Sequence, residues 1–268
     1  MALIRRLTGF FDAAGHPDGE HSLLVCGHVA EKTRWDRFER QWKQTLVAAG
    51  MTTPFHMSEF MACKGAFEGW RERVEDRAAL AGMLVSIIRK NVHKAFSETI
   101  LLKDWKAVNE VYQLRESHCT PYALAAFYVM DRTIRWWGKK HPKAYMTEFV
   151  FEKGDKHTGD FMWVMDRIIQ TDPVALGIAR PRFEKKSLAP LQAADFAGWV
   201  MRRSQKVWLT SEPEASIPRK VVAELIELRS VPHLAGFLDE DKLLKFCRAH
   251  DVPKRGEQRQ WAGVRRWG

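Results

Sequence analysis

Only four cysteines occur in the 268 residues, at Cys26, Cys63, Cys119 and Cys247, and no two of them form a Cys-x-x-Cys pair. That scarcity argues against a disulfide framework and a cysteine zinc site, and fits reduced core residues in a cytoplasmic protein. No apolar run approaches the roughly 18–20 residues that span a bilayer, so no membrane attachment is expected. The N-terminus, Met1-Ala2-Leu3-Ile4-Arg5-Arg6, has basic residues but no following apolar stretch or small-residue cleavage site, which argues against a signal peptide. Also missing are His-Glu-x-x-His, Walker A, Gly-x-Gly-x-x-Gly and Gly-x-Ser-x-Gly elements. Metalloprotease, NTPase, dinucleotide-binding and hydrolase-elbow chemistry therefore lack sequence support. Acidic charge is in deficit: 33 Asp and Glu face 43 Lys and Arg, a formal net charge of +10.

A basic balance of this size favours polyanions such as nucleic acid, through phosphate contacts and counterion release. It equally serves solubility alone. Eleven tryptophans add to the first reading, because several stand beside cations: Arg34-Trp35, Arg135-Trp136-Trp137, and Trp261 and Trp267 in the Arg-rich tail. Exposed rings of this kind stack on unpaired bases. Most tryptophans belong to cores, and those of the tail are the ones expected to be exposed.

Three acids sit in apolar surroundings. Asp12 closes Leu7-Thr8-Gly9-Phe10-Phe11, Glu152 closes Tyr145-Met146-Thr147-Glu148-Phe149-Val150-Phe151, and Asp195 interrupts Leu191-Gln192-Ala193-Ala194-Asp195-Phe196-Ala197. A carboxylate in such a place is costly unless paired, hydrogen-bonded or metal-bound. Three of them, far apart in sequence, suggest a shared site, and hard oxygen ligands suit Mg²⁺ or Mn²⁺. Each also has a structural explanation. Asp12 can hold the turn after it, Glu152 can pair with Lys153 or Lys185, and Asp195 has the least polar company.

The chain reads as α/β. A hairpin covers the first thirty residues, with its turn at Gly15-His16-Pro17-Asp18-Gly19. Thr33 is a plausible N-cap for a helix through Trp35, Phe38, Trp42 and Leu46. A loop with Pro54-Phe55-His56-Met57-Ser58-Glu59 leads to a helix over 72–90. A strand over 92–102, helices over 105–115 and 121–137, a strand ending at Glu152, a helix over 159–169 and a strand over 174–186 follow. Ala189-Pro190 opens the helix that holds Asp195. Two further helices are expected near 219–228 and 240–250, then a mobile basic tail. The expected organisation is a main domain over 1–208, a helical extension over 209–251 and the tail over 252–268.

Four segments resemble the bacterial family called domain of unknown function 3800: Phe11-Asp12-Ala13-Ala14-Gly15, Phe55-His56-Met57-Ser58-Glu59, Phe151-Glu152-Lys153-Gly154-Asp155 and Pro190-Leu191-Gln192-Ala193-Ala194-Asp195-Phe196-Ala197-Gly198. The last, a Leu-Gln-x-Ala-Asp helix, is the most specific. The resemblance implies a ribonuclease H-like mixed sheet flanked by helices, here with extra C-terminal helices. Asp12 would lie on the first strand, Glu152 on the fourth and Asp195 on the closing helix. The implied chemistry is two-metal phosphodiester cleavage, with Asp12 bridging two Mg²⁺ or Mn²⁺ ions and Glu152 and Asp195 each holding one. Asp155 would be a reserve ligand, His56 a group near the scissile phosphate or a proton relay, and Lys153 or Lys186 a phosphate contact; His56 equally suits a structural role, capping a helix or bonding a carbonyl. Where the family motif reads Asp-Glu-Ser-Gly, this chain has Asp12-Ala13-Ala14-Gly15. Strand alternation puts residue 13 on the face away from Asp12, which favours retained metal binding. The expected function is a metal-dependent nuclease acting on RNA or DNA. The rivals are a nucleic-acid-binding protein without turnover and an interaction protein of a defence system, with a protein partner or homodimer.

Overall fold

The computed structural model describes residues 5–16, 19, 21–140, 145–171, 180–210 and 217–264. Strand β1 (Arg5–Ala14) is followed by β2 (Ser22–Glu31), which pairs antiparallel with it and places Asp12 opposite Cys26. β3 (Lys94–Leu101) pairs antiparallel with β2, while β4 (Tyr145–Glu152) pairs parallel with β1. β5 (Arg182–Glu184) and β6 (His233–Leu238) run parallel to β4 and β3 and close the order β5-β4-β1-β2-β3-β6. This is an α/β protein with a mixed six-stranded sheet.

Alternation along the strands feeds two cores. On one face, Phe11, Phe96, Phe149 and Phe151 pack with Tyr122, Phe161 and Phe246. These come from α5 (Pro121–Lys140), α6 (Thr158–Thr171) and α9 (Glu240–Ala249), with α4 (Leu102–Val111) alongside. On the other face, Phe10, Cys26 and Val150 meet Trp35, Phe38, Trp42, Phe55, Phe60 and Phe196. That layer is α1 (Lys32–Ala48), the short α2 (Met57–Ala62), α3 (Val74–Asn91), α7 (Ala189–Thr210) and α8 (Arg219–Ile226). Each fully buried large side chain contributes roughly 1.5–3 kcal/mol, so both cores are substantial.

Several expectations change. β2 runs straight into α1, whose N-cap is Glu31, so Thr33 lies inside the helix. The helix expected over 105–115 is α4, from Leu102 to Val111. Of the strand expected over 174–186, β5 covers Arg182–Glu184, and residues 174–179 lie outside the described residues. Segment 209–251 is not purely helical, because β6 forms in it and joins the main sheet beside β3.

The tail is not loose through residue 264. Trp261 and Val264 are buried, Trp261 stacks on Trp163 with centroids 5.8 Å apart, and its indole N–H donates to the His250 carbonyl at 2.8 Å. Gly263 permits that seat: its φ is 103°, and a Cβ there would fall 2.9 Å from Arg167 Cβ. Trp267 lies outside the described residues. Trp35 and Trp137 are also buried, and Trp35 donates to the Thr8 carbonyl at 2.9 Å, so neither ring can stack on a base. Trp136 is half-buried, with the Lys140 ammonium 4.7 Å from its centroid. Among the described residues no helix is long and apolar enough to cross a membrane.

Candidate functional site

Register brings the first two acids together. In the parallel β1–β4 pair Phe11 lies beside Phe151. The next residues, Asp12 and Glu152, are therefore neighbours on the opposite face, at the carboxyl ends of their strands, where open α/β sheets commonly present sites. Asp195 comes from α7. A Cβ on Gly198 would lie 3.3 Å from both Ala14 Cβ and Cys26 Sγ, so this glycine lets α7 lie close over β1 and β2. The Cys26 thiol also reaches the Ala194 carbonyl, at 3.8 Å. The close approach carries Asp195 to the strand ends.

One cation stands between the three acids. Lys186 Nζ is 2.9 Å from Glu152 Oε2, 3.1 Å from Asp12 Oδ2 and 3.2 Å from Asp195 Oδ1. The lysine lies two residues beyond β5 and three before α7. Gln192 fixes this turn: its Nε2 donates to the Lys186 carbonyl at 3.0 Å, while its Oε1 accepts from Trp42 Nε1 at 2.8 Å and the Phe55 N–H at 3.2 Å. The other oxygen of Asp195 accepts from the Met57 N–H at 2.7 Å, at the start of α2. The polar residue of the Leu-Gln-x-Ala-Asp segment thus ties α1, the His56 loop and the Lys186 turn to one helix.

Protonation follows burial. Burial raises the pKa of Asp12 well above the carboxylate range, reinforced by the hydrogen bond with Glu152 and opposed by Lys186. For Glu152 burial also acts upward, but hydrogen bonds with Asp12 and Lys186 and the lysine charge outweigh it, so its pKa falls. Burial alone would discharge Lys186, yet the charges of Asp12, Asp195 and Glu152 hold it firmly protonated. Asp155 is pushed up to about 7, first by burial and then by the Glu152 charge.

The remaining expected residues divide. His56 is the N-cap residue of α2, its ring makes no capping bond, and it lies near Glu152. Glu59 sits in the first turn of α2, with its carboxylate folded toward Gly65. Lys153 is exposed, and its backbone N–H donates to the Glu184 carbonyl at 2.8 Å. Ala13 packs against the core on the far face, as alternation requires.

Converging carboxylate oxygens are the donor set that Mg²⁺ or Mn²⁺ takes. Asp12 Oδ1 and Asp155 Oδ2 are buried without a hydrogen-bond partner, which a cation would supply. As the side chains stand, no group of three or more His, Cys, Asp or Glu among the described residues is arranged around an ion position. The Lys186 ammonium fills the point of convergence. Beside it opens a cleft of about 610 Å³ whose lining includes Asp12, Asp195, Ser58, Trp199, Arg202 and Arg203. The Arg203 guanidinium lies 5.1 Å over the Trp199 ring, and Arg202 is exposed.

The central place of Lys186 and the hub role of Gln192 were missed by sequence reasoning. A lysine in a turn carries no pattern. A glutamine inside an apolar helix does, by the same burial argument that singled out Asp195. No protein-family model matches the chain and no curated protein matches its sequence, so the resemblance to domain of unknown function 3800 rests on the four quoted segments alone.

Proposed function

We propose that the chain is a divalent-metal-dependent phosphodiesterase of ribonuclease H-like type that acts on nucleic acid in the cytoplasm. The observation that carries this reading is the convergence of Asp12, Glu152 and Asp195, from β1, β4 and α7, on one point beside an open cleft. Those elements are the ones to which the resemblance assigns the acids, which supports the finer fold as well. When bound, Mg²⁺ or Mn²⁺ would activate water and stabilise the leaving oxygen. Asp12, Glu152 and Asp195 would hold it, with Asp155 in reserve. Arg202 and Arg203 on the cleft wall contact phosphates, and Trp199 offers a ring for an unpaired base. His56, beside Glu152, relays a proton at the edge of the site.

Labelled single-stranded RNA, single-stranded DNA and a hybrid, each incubated with Mn²⁺, test the reading. Wild type cleaves at least one substrate, and Asp195→Asn loses about 10³-fold in rate with an unchanged circular-dichroism melt. Equal rates in the two proteins would refute it. The second reading, nucleic-acid binding without turnover, is favoured by Ala13 and Ala14 in place of the family's polar pair. It gains if wild type cleaves nothing while binding labelled strands with a salt dependence that Arg202→Ala reduces.

A further inference from the structure

We infer that Lys186 permanently occupies one of the two cation positions of the acidic centre, so that the centre takes a single divalent ion. This rests on the phosphodiesterase reading above and changes both its ion count, from the pair that the resemblance implies, and its ligand set, because Asp195 then holds the lysine and Asp155 takes its place at the ion.

Position is the first argument. In a two-ion centre a bridging carboxylate offers one oxygen to each cation. Asp12 is arranged in that way here: Oδ2 faces the Lys186 ammonium at 3.1 Å, and Oδ1 is buried with no partner. The ammonium also touches Glu152 and Asp195, so the space among the three acids is full. Neither end of the lysine is loose. Its side chain is 14% exposed, its carbonyl is held by Gln192, and β5 and α7 anchor the chain on either side. Drawing the ammonium out would leave three partly buried carboxylates facing one another, a loss that breaking a single buried pair already makes large.

Charge is the second argument. One ammonium does not neutralise Asp12, Glu152, Asp195 and Asp155, so the centre still calls for a cation. The unsatisfied oxygens indicate on which side. Asp12 Oδ1, Asp155 Oδ2 and the Tyr122 hydroxyl are all buried without a partner, and Tyr122 feels the charges of Asp155, Asp12 and Glu152 together. Tyr122 is 1% exposed and belongs to α5, on the face opposite α7, so its orphaned hydroxyl is independent of the acids' own bonding. We assign the single ion to Asp12, Glu152 and Asp155, with the ammonium retained beside it.

Isothermal titration with Mn²⁺, supported by electron paramagnetic resonance of the bound ion, tests the count directly on the full chain. The expected result is one Mn²⁺ per wild-type chain and two per Lys186→Met chain. Asp155→Asn should weaken the wild-type site by about tenfold or more, since it removes a charged ligand. Two ions in the wild type overturn the inference while leaving the phosphodiesterase reading intact. One ion in both wild type and Lys186→Met also overturns it, because the lysine then holds no ion position. No Mn²⁺ in either protein defeats the metal reading itself. Should Lys186→Met not fold, Lys186→Gln replaces it, and the wild-type count alone still decides between one ion and two.

Discussion

Glu98 on β3 and Asp12 on β1 are carboxylates of one sheet, 0% and 3% exposed, but they are compensated differently. Glu98 has a dedicated partner, Arg132 on α5, at 2.7 Å. Gly236 on β6 makes room for that pair, since a Cβ there would overlap the Glu98 carboxylate. Next to Arg132, Asp131 is likewise matched by both oxygens to Arg135, one turn along α5, at 2.9 and 2.8 Å. Charge balances there, one base to each acid, although Glu98 Oε1, like Asp12 Oδ1, is buried without a hydrogen-bond partner. At the strand ends on the other face three acids share a single lysine, and a fourth, Asp155, stands nearby with one oxygen unpaired. A buried pair balanced in charge calls for no further cation. An excess of buried acid does, and this difference separates a structural ion pair from a candidate site.

The comparison breaks most sharply at its cations. In metal-free buffer Lys186→Met should cost about 4 kcal/mol, lowering the melting temperature by about 10 °C. Added Mn²⁺ should recover most of that loss in the variant. Arg132→Met leaves Glu98 buried and alone, at a cost of about 3 kcal/mol, and Mn²⁺ should recover none of it. Thermal melts of both variants with and without Mn²⁺ check the pair; equal recovery in the two, or recovery in neither, would erase the distinction.

A third buried group sharpens the contrast by carrying no charge at all. His28 on β2 is fully buried, and burial, then repulsion from His233, lowers its pKa from 6.5 to about 3. The unfolded chain therefore binds the proton more readily than the fold does. Its contribution is complete above about pH 6.5 and drains as pH falls toward 3, reaching about 2 kcal/mol lost at pH 5. Denaturant titrations at pH 7.5 and pH 5 should show that loss, and His28→Leu should remove His28's share of it. An unchanged pH dependence in the variant would contradict the assignment.

The sheet and the acids were legible because burial writes a pattern. Leu7, Phe10 and Phe11 ahead of Asp12, and Phe149, Val150 and Phe151 ahead of Glu152, announce strands that end in a charge. Asp195 is visible for the same reason on a helix. β6 was not legible: His233-Leu234-Ala235-Gly236-Phe237-Leu238 does not alternate, contains a glycine, and is exposed over its first half as an edge strand. The tail misled in the other direction. Its arginines suggested a solvated segment, while Trp261, seated between Trp163 and the His250 carbonyl, decides where the chain lies. Composition averages over residues, and one buried indole outweighs several exposed guanidinium groups. Lys186 is expected from the sequence as a phosphate contact, and its place among the acids was not legible because its partners are 174, 34 and 9 positions away, a relation no local window contains.

The order in which the chain supplies the acidic centre has a kinetic consequence. Asp12 emerges first, Glu152 140 residues later, then Lys186, and Asp195 last of the four. Only the parallel closure of β4 on β1 brings the first two together, and contacts of that sequence separation form slowly. During synthesis the lysine is therefore available before the final acid arrives. The three like charges need never be gathered without their cation, so the centre can assemble before any ion is captured from solution.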